Sequence, residues 1–311
     1  MKIVVAGGTG FLGSPLSEAW AEEGHDVRVL TRSLAAGQSQ HDSGTGMPGI
    51  TRVGWKPDGS PGVLPAVIDG ASAVINLAGE SVAGARWTMA RKQVLRESRL
   101  LPTRSLAAAI CASSAPPPLL ISGSAIGYYG DTRDATVNEW SPPGHGFLAD
   151  LCVEWEAEAQ RAQRDGTRVV FLRTGIALER SGGALPKMAL PFRFFVGGRI
   201  GSGRQFVSWI HRLDWIEMVR WIIETPDITG PVNATAPQPV TSAHLSRALG
   251  RAIRRPALVP APEFALRIAV GQMAESLVTG QRALPTRAQH AGFHFRYPEI
   301  EIALRGIYGM D

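Results

Sequence analysis

Cysteine is almost absent: Cys111 and Cys152 stand alone among 311 residues. Two thiols exclude a disulfide framework and a multi-cysteine metal site, and they suit a reducing cytoplasm. Long apolar runs are missing too, and none approaches the roughly 20 residues of a membrane-spanning helix. No leader-like stretch opens the chain. MKIVVAGGTG runs straight into a strand and a glycine turn, so no export signal and a cytoplasmic location are expected. Basic residues exceed acidic ones, giving a net charge of +5 and an isoelectric point near 9.6. Yet no basic run is interleaved with aromatics, as single-strand binders require. The excess suits anionic small molecules instead. Neither nucleic acid nor a membrane is expected as a partner.

What remains is an ordinary globular balance, 44% hydrophobic and 19% charged, with a mean hydropathy of zero. The length allows one large core or two unequal ones. From Met1 to about Arg173, short β-branched runs (KIVVAG, DVRVLTR, SAVINLAG, PPLLISGSA, RVVFLR) alternate with amphipathic stretches such as LSEAWAEEG and Thr88 to Cys111. That alternation implies an α/β protein with a doubly wound, Rossmann-type parallel sheet. Continuous hydrophobicity within the runs fits strands buried on both faces. Residues 33–49 read as a mobile Gly/Ser-rich loop. After Arg173 the chain turns Gly- and Pro-rich, so residues 1–173 are expected to form a nucleotide-binding domain whose sheet later segments complete. Residues 174–311 then form a smaller mixed region on the substrate side.

VVAGGTGFLGSP puts Gly7, Gly10 and Gly13 in a G-x-x-G-x-x-G spacing directly after a strand. Gly7 allows the tight exit, Gly10 lets a pyrophosphate approach the backbone, and Gly13 lets the next helix pack closely. The free N–H groups at the helix start then face the phosphates. Pro15 is tolerable only near that start. The spacing alone would fit a mere turn; its place between strand and helix points to a dinucleotide. The second strand ends in Thr31 and Arg32, with no acid to take the ribose hydroxyls. Arg32 can hold the 2′-phosphate of NADP(H), a contact of about 1.5–3 kcal/mol, or roughly 10- to 100-fold in affinity. A solvated surface Arg is the other reading of Arg32. NADP(H) is the expected cofactor.

GGTGFLG, VINLAGE, SGSAIGYYG and LRTG together resemble the extended and atypical short-chain dehydrogenases/reductases. More narrowly, INLAGE, SRLLPT, SAIGYYG, VEWEAEA, GSGRQFVSWIH and NATAP resemble the sugar-epimerase-like branch. Some members of that branch are labelled nucleotide-sugar epimerases or cell-division inhibitors. GQRALPTRAQHAGFHFRYPEIEIAL matches the branch's C-terminal domain of unknown function, expected at about residues 253–302. The resemblance implies that Thr9, Gly10, Phe11 and Leu12 in the turn touch the cofactor. Leu77, Ala78 and Gly79 would line its adenosine side, and Gly175 to Ala177 would pass near the nicotinamide.

The same family uses a Ser to orient the substrate oxygen and a Tyr as acid/base, with a Lys four residues on that lowers the Tyr pKa; an Asn often completes the relay. Hydride transfer must be accompanied by proton transfer, so the pair has a clear purpose. Here Ser124 stands at the expected strand end. Counting back from Glu156 puts Cys152 at the Lys position and Leu148 at the Tyr position, and Arg99 falls where the Asn would be. Leu148 cannot move a proton. Cys152 could as a thiolate, but a small buried hydrophobe beside Trp155 is the expected role. Tyr128 and Tyr129 could reach into the site or simply pack with a satisfied hydroxyl. Ser124, Tyr128 and Cys152 are therefore the catalytic candidates. Arg99 is expected to clamp cofactor or an anionic substrate.

His145 reads as a surface residue. GSGRQFVSWIHRLD predicts a strand pair and then a helix starting near Asp214, with Arg199, Arg204 and Gln205 offered to a polar or anionic substrate. Trp209 and His211 read as core and structural hydrogen bonding, and no metal is expected. Two functions remain open: an NADP(H)-dependent oxidoreductase or epimerase-like enzyme with a non-standard proton relay, acting on an anionic or sugar-like small molecule, or a non-catalytic NADP(H) sensor acting through partners.

Overall fold

The structure, a computed structural model, describes residues 1–37, 39–41 and 49–309. Its main sheet is built from β1 (Lys2–Ala6), β2 (Asp26–Thr31), β3 (Ser39–His41), β4 (Ile50–Gly54), β5 (Ala73–Asn76), β6 (Leu119–Ala125) and β7 (Arg168–Thr174). Two short strands, β8 (Ile176–Glu179) and β9 (Trp209–His211), pair with each other outside it. The last strand, β10 (Gly230–Ala234), returns to the main sheet. The order across the sheet is β10-β7-β6-β5-β1-β2-β4-β3, parallel throughout except for the β3 edge. Strand order reverses between β1 and β5, which opens a crevice at the C-terminal ends of the central strands.

The β1 and β5 side chains are almost wholly buried, as the unbroken apolar runs require of strands covered on both faces. On one face, α1 (Gly13–Glu22) lays Leu16 and Trp20 against Ile3, Val5, Val27 and Val29. On the other, Leu106 and Ile110 of α2 (Met89–Ala112) and Ala159 of α3 (Phe147–Gln160) pack against Val4, Val74 and Leu120. Thr88 caps α2 by accepting from the Arg91 N–H at 3.1 Å, leaving that helix a defined start. The helix α4 (Arg212–Glu224) joins α1 on the first face. A third cluster joins β8 and β9 to α5 (Ser242–Ala252) and α6 (Ile300–Tyr308).

Three expectations need adjusting. Residues 39–41 of the expected loop form the antiparallel edge strand, because they can pair with β4; residues 38 and 42–48 lie outside the described residues. Phe206–Val207 and Trp209–His211 do not pair with each other: the first pairs with Val240–Thr241, the second with β8. The helix that follows begins at Arg212, with Asp214 in its first turn. The outermost strand of the main sheet on that side, β10, comes from the second half of the chain.

Candidate active site

The glycine turn caps the C-terminal end of β1. Gly7 sits at φ +78°, and a Cβ there would stand 2.6 Å from the Leu77 carbonyl, so only glycine lets β1 and β5 exit side by side. A Cβ on Gly13 would stand 2.3 Å from the Gly7 carbonyl oxygen, which is the close helix-to-turn packing that the spacing predicts. Leu12 precedes α1 and offers no side-chain cap. Ser14 donates its N–H to the Gly10 carbonyl at 2.9 Å and Pro15 has none, so the helix start offers a ligand its positive dipole end rather than a row of free N–H groups. These features form a cradle that any side chain would fill, and they fit a dinucleotide pyrophosphate.

The other expected cofactor residues lie along the same edge. Leu77 follows β5 and donates its N–H to the Ala6 carbonyl, and the Ala78 N–H is held by the Asn76 side chain. Gly175 follows β7 and donates to the Ala234 carbonyl; a Cβ on it would stand 2.6 Å from the Ser208 carbonyl oxygen. Ala177 continues into β8. The Phe11 ring leaves the turn to pack on Gly182 and Gly183. At the end of β2, the Thr31 hydroxyl accepts from the Ser33 N–H at 3.2 Å, and Arg32 is exposed. Arg99 reaches from α2 to the loop after β5. Its guanidinium donates to the Leu95 and Glu80 carbonyls, lies against Gly79, and stacks 5.3 Å from the Trp155 ring.

Where the family's Tyr and Lys would stand, the structure is apolar. Leu148 packs against Gly127 in the short turn Ile126–Tyr129 that follows β6. Cys152 is buried, and burial first, then the Glu156 carboxylate, push its thiol up to about 11 despite Arg99. A protonated, water-shielded thiol is neither a nucleophile nor an activating cation.

Ser124 has changed partner. Its hydroxyl donates to Glu156 Oε1 at 2.6 Å. With that proton committed, it can still accept from a ligand hydroxyl but cannot donate to a carbonyl. Glu156 in turn receives two parallel 2.8 Å bonds from Arg173, near the end of β7. Burial alone would depress the Arg173 guanidinium, but the Glu156 carboxylate outweighs it and holds that pKa raised. Arg173 also donates to the Tyr129 hydroxyl at 3.0 Å, and Tyr129 donates to the Asn233 side chain at 2.7 Å. Burial pushes the Tyr129 phenol up to about 12. Tyr129 therefore packs with a satisfied hydroxyl. Tyr128 is half-buried, with the Arg173 guanidinium 3.5 Å from its ring centre.

The C-terminal segment buttresses this network. Asn233 donates to the Leu284 carbonyl, and the buried Glu139 carboxylate accepts from the backbone N–H groups of Asn233 and Arg287. Arg173, Glu139 and Asn233 received no role from sequence reasoning. The signal was present: a charge inside RVVFLRT, a strand buried on both faces, requires a buried partner. Nothing in the local sequence names that partner.

The second-half residues are mostly occupied. Arg199 donates to the Ser202 carbonyl, and Gln205 to the Ile200 and Leu277 carbonyls, while Arg204 is exposed. Trp209 is core, donating to the Gln238 carbonyl. His211 caps α4 by accepting from the Leu213 N–H and stacks on Tyr297 at 3.8 Å. His145 is exposed. Among the described residues no cluster could hold a metal ion, and no helix is long and apolar enough to cross a membrane.

Comparison with known proteins agrees with this geometry. Residues 3–234 match the NAD dependent epimerase/dehydratase family, and residues 261–307 match a domain of unknown function (DUF1731). The chain is 41% identical to the epimerase family protein Mb2239 of Mycobacterium bovis, covering 97% of this chain and 96% of that protein. It is 39% identical to the epimerase family protein YfhF of Bacillus subtilis, over 98% and 97% of the two chains. The crystal structure of human epimerase family protein SDR39U1 with NADPH superposes with a TM-score of 0.88, at 33% identity over 99% of each chain. A UDP-glucuronic acid 4-epimerase of Bacillus cereus, 15% identical, shares the fold with a TM-score of 0.76 over 99% of this chain and 96% of that one. The chain belongs to the NAD dependent epimerase/dehydratase family and carries that C-terminal domain after it.

Proposed function

We propose that the protein binds NADP(H) across the β1 turn and acts as an oxidoreductase or epimerase-like enzyme of the reducing cytoplasm. Its substrate on this reading is an anionic or sugar-like small molecule. The observation that carries the cofactor assignment is the glycine cradle followed by Arg32, with no acid at the end of β2. The human relative crystallised with NADPH supports it. The bound cofactor would supply or accept hydride. The Gly7–Gly13 turn and the start of α1 hold its pyrophosphate, Arg32 its 2′-phosphate, and the Leu77–Gly79 and Gly175–Ala177 loops flank its two halves. Arg99, already fixed at the β5 loop, presents positive charge to an anionic group. Ser124 accepts from a substrate hydroxyl while its own hydroxyl donates to Glu156. Tyr128 is the phenol left near this edge for proton transfer.

One observation favours a second reading, a cofactor sensor without turnover. Leu148, the protonated Cys152 and the committed Ser124 leave the family's usual proton path unbuilt. Fluorescence titration with NADPH and NADH tests the assignment. NADPH should bind at least about tenfold more tightly, largely lost in Arg32→Ala, and equal affinities would refute it. Hydride transfer from labelled NADPH to a panel of sugar nucleotides and anionic carbonyl compounds then separates enzyme from sensor.

A further inference from the structure

Large apolar side chains stand out into water on two segments of the second half. Phe194 and Phe195 follow the helix Leu185–Arg193; Leu258 precedes the helix Glu263–Val270, and Phe264 and Ile268 lie on it, about one turn apart. Each of these side chains is 58–81% exposed. The segments run side by side: Val259 donates its N–H to the Gly197 carbonyl at 3.1 Å, and Ala261 to the Arg199 carbonyl at 2.9 Å. The Arg255 guanidinium stands 4.8 Å from the Phe195 ring centre. Phe195 holds φ +61°, a conformation that favours glycine or asparagine. An exposed phenylalanine there gains neither burial nor backbone ease, so folding alone gives no reason for it. Charge gathers on the same segments. Residues 187–204 and 247–275 hold nine basic residues against two acidic ones, a larger surplus than the +5 of the whole chain. All nine are exposed. Among the described residues, only Arg251 and Arg267 of the nine pair with a carboxylate.

We propose that this surface docks the protein peripherally on an anionic lipid bilayer, with Phe194, Phe195 and Leu258 entering the headgroup layer and the surrounding arginines binding lipid phosphates. The inference does not rest on the cofactor reading. It departs from the sequence expectation of no membrane partner, which took the arginines as scattered; the fold brings them together. Apolar tips within a basic surround suit an anionic interface, because the tips leave water while long Arg stems keep their charge at the headgroups. Side chains this exposed project from the surface rather than line a groove, so an acidic amphipathic helix finds little to lie in. A second copy of the chain would bring two basic surfaces face to face, which like charge opposes. Among the described residues no helix is long and apolar enough to cross the bilayer, so the contact is interfacial. The surface is also tied to the candidate site. Arg86, in the loop after β5, donates to the Ile268 carbonyl, and Lys187 donates to the Ala83 carbonyl of that loop. Docking therefore holds the β5 loop close to the bilayer.

The test is flotation of the full chain with vesicles of phosphatidylcholine alone, or with about one-third phosphatidylglycerol. The protein should float with the anionic vesicles only, and added salt should weaken that binding. Phe194→Ser combined with Phe195→Asn, and separately Arg254→Gln combined with Arg255→Gln, should each weaken it about tenfold or more, with the melting temperature unchanged. Asparagine tolerates the Phe195 backbone, and Phe264→Gln on the neighbouring helix repeats the apolar test should the first pair fail to fold. Failure of the wild-type chain to float overturns the inference. Anionic binding that ignores every phenylalanine substitution would reduce the surface to plain charge attraction and overturn it as well. Without flotation, self-association that the Phe194 and Phe195 changes abolish would assign the surface to a second copy, and binding of polyglutamate would assign it to an acidic protein; either overturns the lipid reading.

Discussion

Glu156→Met is the perturbation whose consequence the structure fixes most closely. Glu156 and Arg173 are joined by two 2.8 Å bonds, with side chains 9% and 4% exposed. Removing the carboxylate charge leaves a guanidinium buried among Tyr128, Tyr129 and the Glu139 carbonyl. Breaking one side of such a pair costs about 3–5 kcal/mol, whereas replacing both sides with apolar groups of similar volume is often near neutral. At about 2–4 °C per kcal/mol for chains of 150–250 residues, the melting temperature should fall by roughly 6–20 °C, or somewhat less in this longer chain. The assay is a double-mutant cycle of Glu156→Met and Arg173→Met, followed by urea midpoints and by calorimetry. The double variant should be more stable than either single one, with a coupling of at least about 1.5 kcal/mol. Single variants that cost under about 1 kcal/mol, or strict additivity, would refute the account of a buried, mutually dependent pair.

Cys152 should resist alkylation in the folded protein, while exposed Cys111 reacts and serves as an internal control. Peptide mass spectrometry reads both, and fast labelling of Cys152 that bound NADPH prevents would restore it as a reactive thiol. Burial holds His211 down to about 4, below its unfolded value near 6.5. Between those values the unfolded chain takes up a proton that the folded one does not. Stability is therefore lost as pH falls through this window, by up to about 3 kcal/mol. His211→Asn, which keeps a cap acceptor, should flatten that slope in urea titrations, and an unchanged slope would assign it to other groups. Arg99→Ala should weaken NADPH binding about tenfold with a smaller effect on the ligand-free melting temperature; a lower melting temperature with unchanged binding would make Arg99 purely structural.

The sheet was legible because its strands obey a local rule: apolar on both faces, with glycine or a short loop at each exit. The turn at Gly7 to Gly13 could be read by its spacing, and the substitutions at Leu148 and Cys152 through the family resemblance. Three strands of the main sheet escaped that rule, the first being SQH at residues 39–41, inside the Gly/Ser-rich stretch. ITRVG at residues 50–54 carries two polar residues, and GPVNA at 230–234 opens on Gly and Pro, so neither reads as a strand until β2 and β7 pair with them. The network around Ser124 was illegible for a different reason. Its members come from β6, α3, β7, β10 and the loop at Glu139, so only the fold brings Ser124, Glu156, Arg173, Tyr129 and Asn233 together. Sequence reasoning set Leu148 and Cys152 at the family's Tyr and Lys positions but did not find the network beside them.

The central claim is that the Gly7–Gly13 cradle holds NADP(H) beside an edge where Ser124 is held by Glu156 and the Tyr–Lys pair is gone. A crystal structure of the protein with NADPH tests it most directly. The account predicts the pyrophosphate over the start of α1, the 2′-phosphate at Arg32, and the nicotinamide beside Gly175, with Leu148 and Cys152 making no polar contact to it. NADPH bound elsewhere, or a nicotinamide hydrogen-bonded to the Cys152 thiol, would contradict it.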